Sequence, residues 1–171
     1  MKKTLLFVFA LLIVLEKLHS QPGETSITAG PFISLTNTVA GTRPLKAGIG
    51  VEAMFQYNLT NKSVLLFQTS FASHGVKNTS GADTGRNGSI NIFSARVGYK
   101  YMLGNSGFFI NGLTGIDKRT NLNSELSLGI GAGKRINITE QYFMDAGIDY
   151  ISSGTDLRWN VKALFNIWRK P

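Results

Sequence analysis

Beyond residue 20 the chain keeps no 3.6-residue hydrophobic period for long, while alternation with a period of two recurs along it. From Gly48 to Tyr57 one face reads Ile49, Val51, Ala53, Phe55, Tyr57, and the other Gly48, Gly50, Glu52, Met54, Gln56. Residues 93–101 set Phe93, Ala95, Val97, Tyr99 and Tyr101 against Ser94, Arg96, Gly98 and Lys100. Residues 126–133 set Leu126, Leu128, Ile130 and Ala132 against Ser127, Gly129, Gly131 and Gly133. Residues 159–167 set Trp159, Val161, Ala163, Phe165 and Ile167 against Asn160, Lys162, Leu164 and Asn166. The stretches 65–72 and 142–150 alternate less cleanly. Stretches 26–35 and 108–116 are β-rich without a clear facing, and Pro31, which cannot donate to a ladder, predicts a bulge or break in the first. The pattern predicts eight strands.

The gaps fall near 36–46, 58–62, 74–89, 103–107, 117–124, 136–141 and 152–157. The first, third, fifth and seventh read as longer or richer in Gly, Ser, Thr and Asn, and the others as tight turns. Long loops alternating with short turns suit an outer-membrane barrel, and a closed meander leaves no exposed edge. The expected fold is therefore all-β, an eight-stranded antiparallel up-and-down transmembrane β-barrel.

A soluble barrel of lipocalin type, holding an apolar ligand, has the opposite polarity, so the composition of the polar face discriminates. That face is rich in Gly and Ser with isolated charges, where a hydrated surface would carry long Lys and Glu. Small residues suit the narrow lumen of eight strands, and charges of both signs can pair there. The expected interior network is Glu52, Arg96, Lys100, Asp145, Asp149 and Lys162, which would plug the barrel. Tyr57, Tyr99, Tyr101, Phe108, Tyr142, Phe165 and Trp168 then form one aromatic girdle, and Phe71, Tyr150 and Trp159 the other.

The first twenty residues stand apart. Lys2 and Lys3 precede the apolar run Leu5 to Leu15 and the polar Glu16-Lys17-Leu18-His19-Ser20, the anatomy of a secretory signal peptide. The run is shorter than the roughly 20 apolar residues of a spanning helix. The expected division is a signal peptide over 1–20 and one barrel domain over 21–171. Three of the 18 Lys+Arg and one of the 10 Asp+Glu lie in the leader, so the remainder carries 15 against 9, a net +6. The basic residues are scattered rather than striped, which argues against nucleic acid as a partner. With no cysteine, disulfides, N-terminal lipidation and thiolate metal sites are excluded, and no cofactor is expected.

The chain resembles the small OmpX/OmpA-type outer-membrane barrels, the "outer membrane protein β-barrel domain" family. The resemblance rests on the signal followed by Gln21, the Gly129-Ile130-Gly131-Ala132-Gly133 strand, the Asp149-Tyr150 strand end and the aromatic last strand. Asn160, Phe165 and Ile167 fit that family's C-terminal assembly signal, while Lys162 stands where glycine is usual and the chain continues through Trp168-Arg169-Lys170-Pro171. The resemblance implies an outer-membrane location and the barrel-assembly machinery as a partner during biogenesis.

Some similar barrels modify lipid A. The family of deacylases places a serine two residues after its histidine, where this chain has Val76 after His74. His74 has Ser70 and Ser73 nearby but no evident acidic partner, and reads as a solvated loop-edge residue rather than a catalytic base. The expectation is a non-enzymatic structural or surface-interaction barrel. Seven cations, Arg43, Lys46, Lys77, Arg86, Lys118, Arg119 and Arg158, are assigned to the outer loops against Asp83, Asp117 and Asp156. Their expected partner is the phosphates of lipopolysaccharide in the outer leaflet.

Overall fold

A computed structural model describes residues 23–38, 45–76, 89–104, 106–120, 123–139, 142–154 and 156–170. The expected signal segment 1–20, Gln21 and most of the first and third loops lie outside these residues. Eight strands follow one another: β1 Thr25–Thr38, β2 Leu45–Asn58, β3 Ser63–Val76, β4 Ser89–Leu103, β5 Phe108–Arg119, β6 Ser124–Asn137, β7 Phe143–Ser153 and β8 Asp156–Lys170. Each pairs antiparallel with its sequence neighbour, and β1 pairs with β8 to close the barrel. The sheet is the meander that the alternation predicts.

Every strand has 11 to 15 residues. A tilted strand needs about 9–11 to cross a bilayer. The strands outrun their alternating cores because the pleat continues through polar ends, so the connections are shorter than the sequence suggests. Two residues separate β7 from β8, with Gly154 at φ 57°, so the seventh gap, read from the sequence as 152–157, narrows to 154–155. The start of β1, the end of β8 and the β2–β3, β4–β5 and β6–β7 junctions share one end, called here the turn end. At the opposite end, called the loop end, lie the end of β1 and start of β2, the end of β3 and start of β4, the end of β5 and start of β6, and the end of β7 and start of β8.

Polarity is inverted relative to a water-soluble protein. Ile49 is 73% exposed and Ile130 68%, and Phe67, Phe93, Leu128, Trp159 and Ile167 also face outward. Glu52, Arg96, Lys100, Asp145, Asp149 and Lys162 are buried inside. An apolar coat of this extent fits a hydrocarbon surround, not water. The lipocalin-like alternative is therefore overturned: its apolar face would have to be the one buried.

The two strands of ambiguous facing resolve. In β1, Ser26, Thr28, Phe32 and Ser34 point inward, with Pro31, Ile33 and Leu35 outward. In β5, Phe109, Asn111, Leu113, Asp117 and Arg119 point inward. Pro31 leaves its mark on the closing seam. The β1–β8 ladder skips Gly30 and Pro31, and its register shifts between Ile27 and Thr28.

Candidate functional site in the barrel interior

The inward side chains gather into three charged groups. Nearest the turn end, Asp145 from β7 accepts from Lys100 Nζ at 2.7 Å and from Arg135 Nε at 2.8 Å. Gln56 joins them, donating to Asp145 at 3.1 Å and accepting from Lys100 and Arg135. Two aromatic faces complete the setting. Lys100 Nζ lies 4.5 Å from the Phe109 ring centre, and the Arg135 guanidinium 3.8 Å from that of Phe143. Cation–π contact adds to the ion pairs here.

In the second group, Lys162 Nζ lies 2.8 Å from Glu52 and 2.5 Å from Asp149. Asn111 donates to Asp149 at 3.1 Å. The facing strand is glycine-rich for reasons of space. A Cβ on Gly131 would fall 2.0 Å from Asp149 Oδ1, and one on Gly133 2.5 Å from the Phe109 ring. The Gly129–Gly133 run is thus the room left for side chains projecting from β5 and β7. Met54, Leu66, Leu113 and Leu164 form a buried apolar cluster with Val64. Met54 lies on β2 between Glu52 and Gln56, which belong to the second and first groups.

The third group draws on residues toward the loop end. Arg96 Nη2 meets Asp117 at 2.5 Å, while Arg158 binds the other oxygen of the same carboxylate. Arg96 also donates to Ser94 and Ser127. Arg119 bridges Asp156 at 2.6 Å and Glu125 at 3.0 Å. Across the three groups, six cations face six carboxylates among the described residues. Burying charge without such partners would cost several kcal/mol per ion.

The six sequence-assigned interior residues thus occur in these groups. Glu52, Asp149 and Lys162 come together, Lys100 meets Asp145, and Arg96 instead pairs with Asp117. The outer-loop set divides. Arg43, Lys77 and Arg86 lie outside the described residues, and Lys46 belongs to β2 with its side chain undescribed. Lys118 is exposed near the loop end. Arg119 and Arg158 are corrected: both are buried, because β5 runs on to Arg119 and β8 begins at Asp156. Their in-phase positions turn them into the lumen, as they do Asp117 and Asp156. Arg135, Glu125 and Gln56 were missed as partners, although Arg135 keeps the phase of Gly131 and Gly133.

His74 is also corrected. It is fully buried in β3, with its ring packed over Gly48, where a Cβ would approach Nδ1 to 2.5 Å. Ser73, on the adjacent position, points to the other face. Ser70 shares the inner face but lies four residues away, about 13 Å along a strand. Neither serine stands where His74 could take its proton.

The chain matches one family and is similar in fold to several solved structures. The family model "Outer membrane protein beta-barrel domain" matches residues 6–164. Ail, the attachment invasion locus protein of Yersinia pestis, in complex with the heparin analogue sucrose octasulfate, aligns with a TM-score of 0.61 and 19% identity. It covers 88% of this chain and 100% of that one. Neisserial surface protein A aligns with a TM-score of 0.61 at 12% identity, over 85% and 98% of the two chains. OprG from Pseudomonas aeruginosa aligns with a TM-score of 0.56 at 12% identity, over 86% and 94%. At these identities the likeness is one of fold. No curated protein matches the sequence.

Proposed function

The chain belongs to the outer membrane protein beta-barrel domain family, and from that premise we propose that it is a closed, non-enzymatic barrel working through its loop end. The observation that carries this reading is the interior: six cations and six carboxylates pair across the lumen, beside the apolar cluster of Met54, Leu66, Leu113 and Leu164. On this reading the side chains so engaged fill the lumen, hold the wall in shape and block conduction. Refolded protein in planar bilayers is expected to give no steady single-channel conductance. A steady conductance would overturn the reading.

The partner at the loop end is the phosphorylated headgroup of lipopolysaccharide. Lys118 is exposed there, and Arg43, Lys46, Lys77 and Arg86 fall on or beside the loops in sequence. Arginine and lysine at a lipid surface engage such phosphates directly. Replacing Arg43, Lys77, Arg86 and Lys118 with Ala together should lower lipopolysaccharide retention through purification, and unchanged retention would refute it. A sulfated sugar is a second candidate, favoured by the ligand in the Ail complex, and the same variant tested against sucrose octasulfate separates the two. For lipid A modification, His74→Ala with lipid A acylation measured is the deciding experiment, and no change is expected.

A further inference from the structure

The turn end carries an external ring of cations that the interior does not use. Lys62 lies in the connection after β2, Lys134 near the end of β6, and Lys170 at the end of β8; all three are exposed. None makes an ion pair with a described carboxylate. The one described acid at this rim, Glu24, is already engaged by Arg169 and by the Asn58 amide. Lys134 has an aromatic neighbour at the girdle, and Lys170 shares its strand with one. Lys134 Nζ lies 5.0 Å from the Phe108 ring centre. Trp168 precedes Lys170 by two residues on β8. Phe108, Tyr142 and Trp168 are 49%, 55% and 44% exposed. Aromatic rings of this kind mark the depth of the lipid headgroups. Exposed lysines beside such a belt can carry their ammonium groups to that same depth.

We propose that this rim binds the headgroups of anionic phospholipids in the leaflet at the turn end. Three ammonium groups unpaired with any described carboxylate are complementary at headgroup depth to phosphodiesters that keep a net negative charge, and less so to zwitterionic headgroups. The site is independent of the loop-end cations and of the partner proposed for them. It adds a second, opposite lipid contact, so the barrel is held at its depth by charge on one side as well as by its apolar band.

The two tryptophans allow each end to be read separately. Trp168 belongs to the turn end and Trp159 to the loop end, and the chain has no others. Trp159→Phe protein, refolded into phosphatidylcholine vesicles, reports on Trp168 alone. At equal mole fraction, dibrominated phosphatidylglycerol should quench Trp168 more than dibrominated phosphatidylcholine, with local enrichment of about fivefold at low salt. The enrichment should fall in 0.5 M salt, given a Debye length of about 4 Å there. It should also collapse when Lys62, Lys134 and Lys170 are replaced with Gln. Each variant is first checked for slower migration after boiling, so that a misfolded barrel is discarded; Lys134→Gln and Lys170→Gln singly replace the triple variant if it does not fold. Equal quenching by the two lipids overturns the proposal, as does an enrichment the lysine variants leave intact. Lysine-dependent sedimentation with cell-wall sacculi, without any phosphatidylglycerol enrichment, also overturns it and makes the wall the partner.

Discussion

Asp117 holds two guanidinium groups at once, Arg96 on one oxygen and Arg158 on the other. Removing its charge strands two buried cations, whereas Arg96→Met leaves the carboxylate with Arg158. Asp117→Asn should therefore destabilise the barrel by about 3–5 kcal/mol and Arg96→Met by clearly less, read as shifts in the urea unfolding midpoint in lipid vesicles. Equal shifts would show that the two arginines do not share the carboxylate. Gly131 is a second sharp position. A methyl group there would meet Asp149 Oδ1 at 2.0 Å and Asn111 Oδ1 at 2.8 Å. Gly131→Ala should cost about 1–3 kcal/mol through this overpacking, while Gly112→Ala, with open space around its Cβ, should cost little by that route. The same unfolding titration distinguishes them. Little of this was legible at the level of single residues. A lone aspartate after Ile116 looks like a loop acid, and only the strand's phase makes it a lumen residue.

Among the elements, the connections show where sequence reading reached and where it stopped. A tight turn over 103–107 was expected from Leu103-Gly104-Asn105-Ser106; the strands leave 104–107 between them, and Gly104 and Gly107 both have positive φ, 63° and 78°. They differ in surroundings. A Cβ on Gly104 meets nothing within 4 Å, whereas one on Gly107 falls 2.5 Å from the Arg135 carbonyl oxygen. Gly104→Ala should thus pay only the left-handed backbone strain, about 1 kcal/mol, and Gly107→Ala measurably more. Similar losses at both positions would show that backbone conformation alone decides. The strand ends were read short because alternation was followed only while it stayed apolar. Asp156, Arg158, Asp117 and Arg119 keep the inward phase, but charges at a strand end read as loop until their partners are seen: Arg96 and Glu125 on neighbouring strands, and the Asp117–Arg158 and Arg119–Asp156 pairs between β5 and β8. Pro31 was the opposite case: its missing amide announced a defect, and the ladder with β8 lapses at Pro31 and the preceding Gly30.

For the whole molecule, one legible feature settled the architecture. A Gly- and Ser-rich polar face placed inside, against an Ile-, Val- and Phe-rich outer face, gives a barrel whose described inward charges are paired. What could not be read was which cation meets which carboxylate, because that depends on barrel tilt and on side-chain reach across the lumen. The enclosure has a measurable consequence. Salt screens exposed charges over about 8–10 Å in ordinary buffers but reaches buried pairs far less. The interior network should therefore keep its strength as salt rises, whereas contacts of Lys62, Lys134 and Lys170 with lipid should weaken. Unfolding in phosphatidylcholine vesicles, where the rim has no net anionic partner, isolates the interior. Its midpoint should move by little between 0.05 and 0.5 M salt, which are chosen to span about 14 Å down to 4 Å of screening length. Asp145→Asn should lower the midpoint at every salt concentration without changing that flat dependence, because Lys100 and Arg135 lose their partner in an enclosed site. A midpoint that falls steeply with salt in the unmodified protein would mean that the paired charges are hydrated, and the interior would then have to be treated as a water-filled channel.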